Sequence, residues 1–172
     1  MGRVGRSNGS FLINVRVPRH MVAVPAAGTG ADLLFTAAGG RLGGDAAIVV
    51  SITVLPFALP PGVAADDALG AMLRQRDRGD RAAGEAFRTP AGHPAIGIRR
   101  IRRGAPPENG RLPRITGQAQ VLVVYPEARA LGVVSGACRN PGDLSATAGL
   151  VAGLVARMTV RAAVPTIPAL PG

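Results

Sequence analysis

The chain has 172 residues, 47% of them hydrophobic, and a net charge of +10. That length fits one domain, long enough to bury a core without disulfide or metal staples. All 20 basic residues are arginine, aromatics make up only 3%, and Cys138 is the sole cysteine, which rules out an internal disulfide and a disulfide-framed exported protein.

With so few aromatics the core must be built from Val, Leu, Ile and Ala. Arginine without lysine, in a chain rich in Ala, Gly and Pro, is the composition of a GC-rich genome of the actinobacterial kind. Guanidinium groups do not titrate in the working range and fork well onto carboxylates and phosphates.

Residues 1–10 are rich in Gly and Arg and are expected to form a disordered tail. They contain no apolar stretch and no lipobox cysteine, so no signal peptide is expected and the protein is assigned to the cytoplasm. Phe11, Ile13, Val15 and Val17 alternate with Leu12, Asn14 and Arg16, which predicts a half-buried strand ending at Pro18. Met21–Val24 is a short extended piece, and Asp32–Ala37 is the next strand.

Ala46–Ala65 lacks charge and is long enough to cross a bilayer. Yet Pro56, Pro60 and Pro61 would break such a helix, and Ile48–Val54 is β-branched almost throughout. A buried strand over Ala46–Leu55 with a Pro-rich loop after it is predicted, and no membrane span. A first helix follows over Asp66–Arg78, capped by Asp66 or Asp67 and stopped at Gly79, with Leu69, Met72 and Leu73 on its apolar side.

Glu85–Thr89 and Ala95–Arg102 read as paired strands around Pro90-Ala-Gly-His-Pro94. Gly117–Tyr125 and Leu131–Cys138 read as a hairpin joined by Pro126–Ala130. Asn140-Pro-Gly-Asp143 opens a second helix over Leu144–Arg157. Its stripe is Leu144, Ala148, Val151 and Val155, with Gly149 and Gly153 expected to let it approach a sheet closely. Met158–Val160 closes the domain, and 163–172 is a Pro-rich tail with proline at every third position.

The order is strands, a helix after a Pro-rich loop, a strand pair around Thr89-Pro-Ala-Gly-His-Pro94, a hairpin, a helix and a last strand. With the phrases Val15-Arg-Val-Pro-Arg19 and Arg88-Thr-Pro-Ala-Gly92, it resembles the PsbP-like α/β/α sandwich, whose bacterial members include the LpqN-type lipoproteins of actinobacteria. The resemblance covers most of residues 11–162. It implies a non-enzymatic role, since the superfamily comprises mostly photosystem accessory subunits, a Ran-binding import factor and cell-envelope lipoproteins. It carries over no site residue, and the lack of a signal peptide and lipobox departs from the lipoprotein branch.

The side chains that could do chemistry are few. His20 and His93 fall in turns, with no Cys or carboxylate spaced around them as a metal site requires. Cys138 ends an apolar strand, where a small buried hydrophobe is expected; Arg139 beside it would lower a thiol's pKa, but a nucleophile also wants a positioned base and no His is nearby in sequence. Ser135 lacks the Gly-x-Ser-x-Gly elbow. Gly39-Gly-Arg-Leu-Gly-Gly44 has no following Lys-Ser/Thr and precedes a strand, so it is not a phosphate loop. Asp66 and Asp67 are explained by a helix start.

The strongest charge feature is Arg99-Arg-Ile-Arg-Arg103 with Arg111 and Arg114 beyond it. On a strand, Arg100 and Arg102 point one way and Arg99, Ile101 and Arg103 the other. Without Trp, and with no aromatic in the run, base stacking on single-stranded nucleic acid is disfavoured.

The sequence therefore predicts a single α+β domain over residues 11–162, an antiparallel β-sheet with helices packed on its faces. The function expected is non-catalytic, with no cofactor and no metal. Arg99, Arg100, Arg102, Arg103, Arg111 and Arg114 form the contact surface for an acidic protein partner. The competing readings are a ligand-binding or catalytic pocket between sheet and helix, with Cys138 or His93 near it, and non-specific nucleic-acid binding.

Overall fold

The computed structural model describes residues 1–37, 48–76, 82–103 and 115–163. In chain order the strands are β1 (Gly2–Ser7), β2 (Phe11–Val17), β3 (Met21–Val24), β4 (Leu33–Ala37) and β5 (Val49–Pro56). Helix α1 (Ala65–Arg76) is followed by β6 (Ala82–Arg88), β7 (Pro94–Arg103), β8 (Ile115–Tyr125) and β9 (Ala130–Cys138). Helix α2 (Leu144–Val155) and β10 (Met158–Ala162) end the fold. The class is α+β, as expected.

The strands form two antiparallel sheets instead of one: seven strands in the order β3-β4-β5-β9-β8-β7-β6, and three in the order β1-β2-β10. Pro18 is the reason for the split. It ends β2, the Met21 N–H bonds the Pro18 carbonyl across a tight turn, and the chain re-enters as β3 in the other layer. Phe11, Ile13, Val15 and Val17 then face the large sheet, buried against Val50, Ile52 and Val54.

Residues 2–7 are not a tail. They form β1, paired along β2 from Gly2↔Val17 to Ser7↔Leu12. The hairpin turns at Asn8-Gly9, with Gly9 at φ 88° and the Asn8 Oδ1 accepting from the Phe11 N–H at 2.9 Å. Only Val4 of β1 points into the core, so the period-2 signal is hidden by Gly and Arg. The Pro-rich 163–172 segment, beyond Ala163, lies outside the described residues, as does the glycine-rich 39–44 run.

The two faces of the large sheet carry separate cores. One face (Val50, Ile52, Val54, Ala119, Val121, Val123, Val134) meets the small sheet and α2. The other (Ile96, Ile98, Leu122, Val124, Leu131) meets α1 through Leu69, with Met72 and Leu73 at its margin. The result is three layers, with α1 on one side and α2 beside the small sheet on the other. Among the described residues no helix is long and apolar enough to cross a membrane.

Both helix starts refine the expectation. Helix α1 begins at Ala65, so Asp66 and Asp67 lie inside its first turn, where the helix dipole favours acids, and do not cap it. Asp66 also pairs with Arg88 at 2.6 Å, an exposed contact of little energetic weight. Asn140 caps a 3-10 turn (Pro141–Asp143) by accepting from the Gly142 N–H at 3.0 Å, and α2 continues from there.

The glycines that let α2 come close are on the sheet and not on the helix. A Cβ at Gly149 or Gly153 would meet nothing within 4 Å, whereas one at Gly136 would sit 2.8 Å from both the Thr147 and Val151 methyl carbons. One at Gly117 would sit 2.7 Å from the Cys138 sulfur and 3.3 Å from the Leu144 Cβ. Gly136→Ala is therefore expected to cost about 1–3 kcal/mol in urea unfolding, as overpacking does. Gly149→Ala, in an open helix interior, should gain up to ~1 kcal/mol. Equal effects of the two would mean that sheet–helix spacing is not set by β9.

Candidate functional site

Between the inner face of β6–β8 and the flank of α2 lies a groove of about 660 Å³. Register builds it: Ala83 faces Arg99, Glu85 faces Gly97, Phe87 faces Ala95, and across to β8 Gly97 meets Val121 and Arg99 meets Ala119. Helix α2 lies over β8 and β9 and leaves the face of β6 and β7 open beside it; its groove side is Ala148, Val151 and Ala152. Small side chains make the space. Gly97, Ala119, Ala148 and Ala152 hollow it out, while Phe87, Val121 and Val151 line it with apolar surface.

Arg99 and Glu85 are the charged residues on its wall, both exposed, and no ion pair joins them among the described residues. Arg99 thus presents a guanidinium at one end of an apolar trough.

Arg100 and Arg102 do not gather there. Arg100 leaves the opposite face, half-buried, its Nε donating to Gln118 Oε1 at 2.7 Å. Arg102 is exposed on that same face, and Arg103 ends β7. Arg111 and Arg114 lie outside the described residues. Ile101, between Arg100 and Arg102, is 55% exposed on the Arg99 side.

The suspected reactive groups are engaged elsewhere. Cys138 is buried and its Sγ donates toward the Gly117 carbonyl at 3.5 Å. His93 sits in the β6–β7 turn, where its N–H bonds Thr89 Oγ1, and its ring lies 4.8 Å from that of Tyr125. Neither lines the groove. Among the described residues there is no group of three or more His, Cys, Asp or Glu that could hold a metal.

Sequence reasoning missed the groove floor, because small residues in strands read as weak strand formers and carry no chemical signal. The signal available was Gly97 on the same strand face as Arg99.

Among the described residues Tyr125 carries a polar anomaly. Its ring is buried, its hydroxyl has no hydrogen-bond partner among the described residues, and burial pushes the phenol far above the usual tyrosine value.

No family model matches the chain, and no curated protein sequence matches it. Among solved structures it is similar to LpqN, involved in cell envelope biogenesis of Mycobacterium tuberculosis. The likeness has a TM-score of 0.57 and 16% identity, over 93% of this chain and 91% of that one. This is a remote relationship of fold.

Two outcomes follow from the buried groups. Native Cys138 should react with thiol reagents orders of magnitude more slowly than in urea, and rapid native labelling at neutral pH would contradict its burial. For Tyr125, the unfolded chain gives up the phenolic proton near pH 10 while the folded chain keeps it, so stability is complete below that pH and falls above it. Tyr125→Phe should remove that alkaline loss, and at neutral pH it should be neutral or stabilising by about 1 kcal/mol. A marked loss at neutral pH would show that the hydroxyl is bonded.

Proposed function

We propose that this chain is a non-catalytic binding domain that holds an apolar ligand in the β6–β8/α2 groove, with Arg99 facing an acidic group at the ligand's end. The groove carries the reading. Its volume lies in the range of small-molecule sites, its walls are apolar, and its charged groups stand at the rim. An apolar chain laid over Phe87, Val121 and Val151 gains burial, and an anion beside Arg99 gains a forked partner.

The likeness to LpqN, a protein involved in cell envelope biogenesis, is compatible with an accessory role, and the element order resembles the PsbP-like sandwiches. A second reading, contact with an acidic protein through the Arg99–Arg103 strand end and Arg111 and Arg114, is favoured by Ile101. An apolar side chain exposed among arginines is the composition of an interface anchor.

Decanoate and decanol serve as probes in a thermal-shift titration. Both should raise the melting temperature, decanoate more, and Arg99→Gln should weaken decanoate about tenfold, the worth of one charge-assisted bond, while leaving decanol unchanged. Filling the trough with Ala148→Leu and Ala152→Leu should abolish both shifts. No shift with either probe, together with loss of partner capture in Arg102→Gln, would favour the protein-contact reading.

A further inference from the structure

The segments that build the small sheet carry arginine and no acid. No Asp or Glu occurs in residues 1–31 or 144–172. Register then puts Arg3, Arg16 and Arg161 on one face, while Arg6, opposite the buried Ile13, is on the other. Arg3 stands opposite Arg16 across β1 and β2, so both side chains leave the outer face. The Arg16 N–H bonds the Arg157 carbonyl, which brings a third arginine to the same row just before β10. The next outward row is Gly5, Asn14 and Thr159, and the one after it Ser7, Leu12 and Arg161.

Arg3, Arg16, Arg157 and Arg161 are exposed, and none of their side chains has an ion-pair or hydrogen-bond partner among the described residues. Like charges set opposite one another weaken a ladder. Three in one row are tolerated at a cost that an anionic counter-surface removes.

We infer that this outer face docks on an anionic phospholipid bilayer. The shape fits a plane: three strands accumulate only about 40–50° of twist, so the four guanidiniums project from a nearly flat patch. The charge fits, because juxtamembrane arginines near an acidic leaflet are attracted without needing individual sites. Leu12, 43% exposed among them, supplies an apolar side chain able to enter the headgroup boundary.

Two rival occupants fit less well. Sheet faces that bind single-stranded RNA stack bases on aromatics, and the outward positions here are Arg, Gly, Ser, Leu, Asn and Thr. A protein interface is built around large aromatic anchors, and none stands among the outward positions of this face.

The test is cosedimentation of the full chain with vesicles of phosphatidylcholine, alone or mixed with phosphatidylglycerol. Binding is expected only to the mixed vesicles, and it should fall as salt rises. Neutralising Arg3, Arg16, Arg157 and Arg161 to Gln should weaken it several-hundredfold, from roughly fivefold per arginine. Neutralising Arg74, Arg102, Arg129 and Arg139 to Gln removes the same net charge from other surfaces and should change it little. Arg16→Gln and Arg161→Gln made singly should each weaken binding about fivefold, a measure that holds even if the fourfold variant is unstable. Equal losses in the two fourfold variants, no preference for phosphatidylglycerol, or tighter binding to single-stranded RNA or polyglutamate than to mixed vesicles would each overturn the inference.

Discussion

The contact on which the architecture rests is the approach of α2 to β8 and β9 over Gly117 and Gly136. Neither position has room for a methyl group: the space is filled by Thr147, Val151 and Leu144 from the helix and by the Cys138 sulfur. Thr147 belongs to the same contact. It is fully buried, and its hydroxyl is satisfied by donating to the Asp143 carbonyl one turn back, so no polar debt is left in the layer. Farther along β9, Gly132 gives the same clearance to Tyr125 and Met158. A helix seated this low beside β10 fixes how much of the sheet face is covered. What it leaves open, over β6 and β7, is the groove.

The same packing explains why the groups that looked reactive are not assembled into a site. Cys138 fills space under α2, and His93 closes a turn and leans on Tyr125. Each is held by the layer it supports. The groove, in contrast, is made of residues chosen for what they lack: Gly97, Ala119, Ala148 and Ala152 provide volume, and among the described lining residues Arg99 is the cation placed where it can act on an occupant.

Strong periodicity was legible and weak periodicity was not. Phe11–Val17 and Met21–Val24 match their predicted bounds, and Leu144 begins α2 as expected, because alternating β-branched residues and a capping Asn140-Pro141 are local signals. β1 was hidden because a single inward valine among Gly and Arg leaves no pattern, although Asn8-Gly9 marked its hairpin. Two sheets were read as one because strand pairing is not local: β2 could have joined any neighbour, and only the tertiary position of β10 decides. The glycine roles were inverted for a similar reason. A helical glycine suggests close packing, but which face it occupies depends on the layer beneath.

β2 takes one partner from the start of the chain and the other from nearly its end, with Met158 beside Val15. The small sheet is therefore the most non-local element of the fold, and its closure must wait for loop entropy across almost the whole sequence. During synthesis, the residues of β1 and β2 emerge long before those of β10, leaving Ile13 and Val15 without the strand that flanks them in the finished fold. The row of Arg3, Arg16 and Arg157 comes into being only when both ends have met. Its positive surface is thus a property of the finished molecule, absent from the nascent chain and from any fragment that stops short of β10.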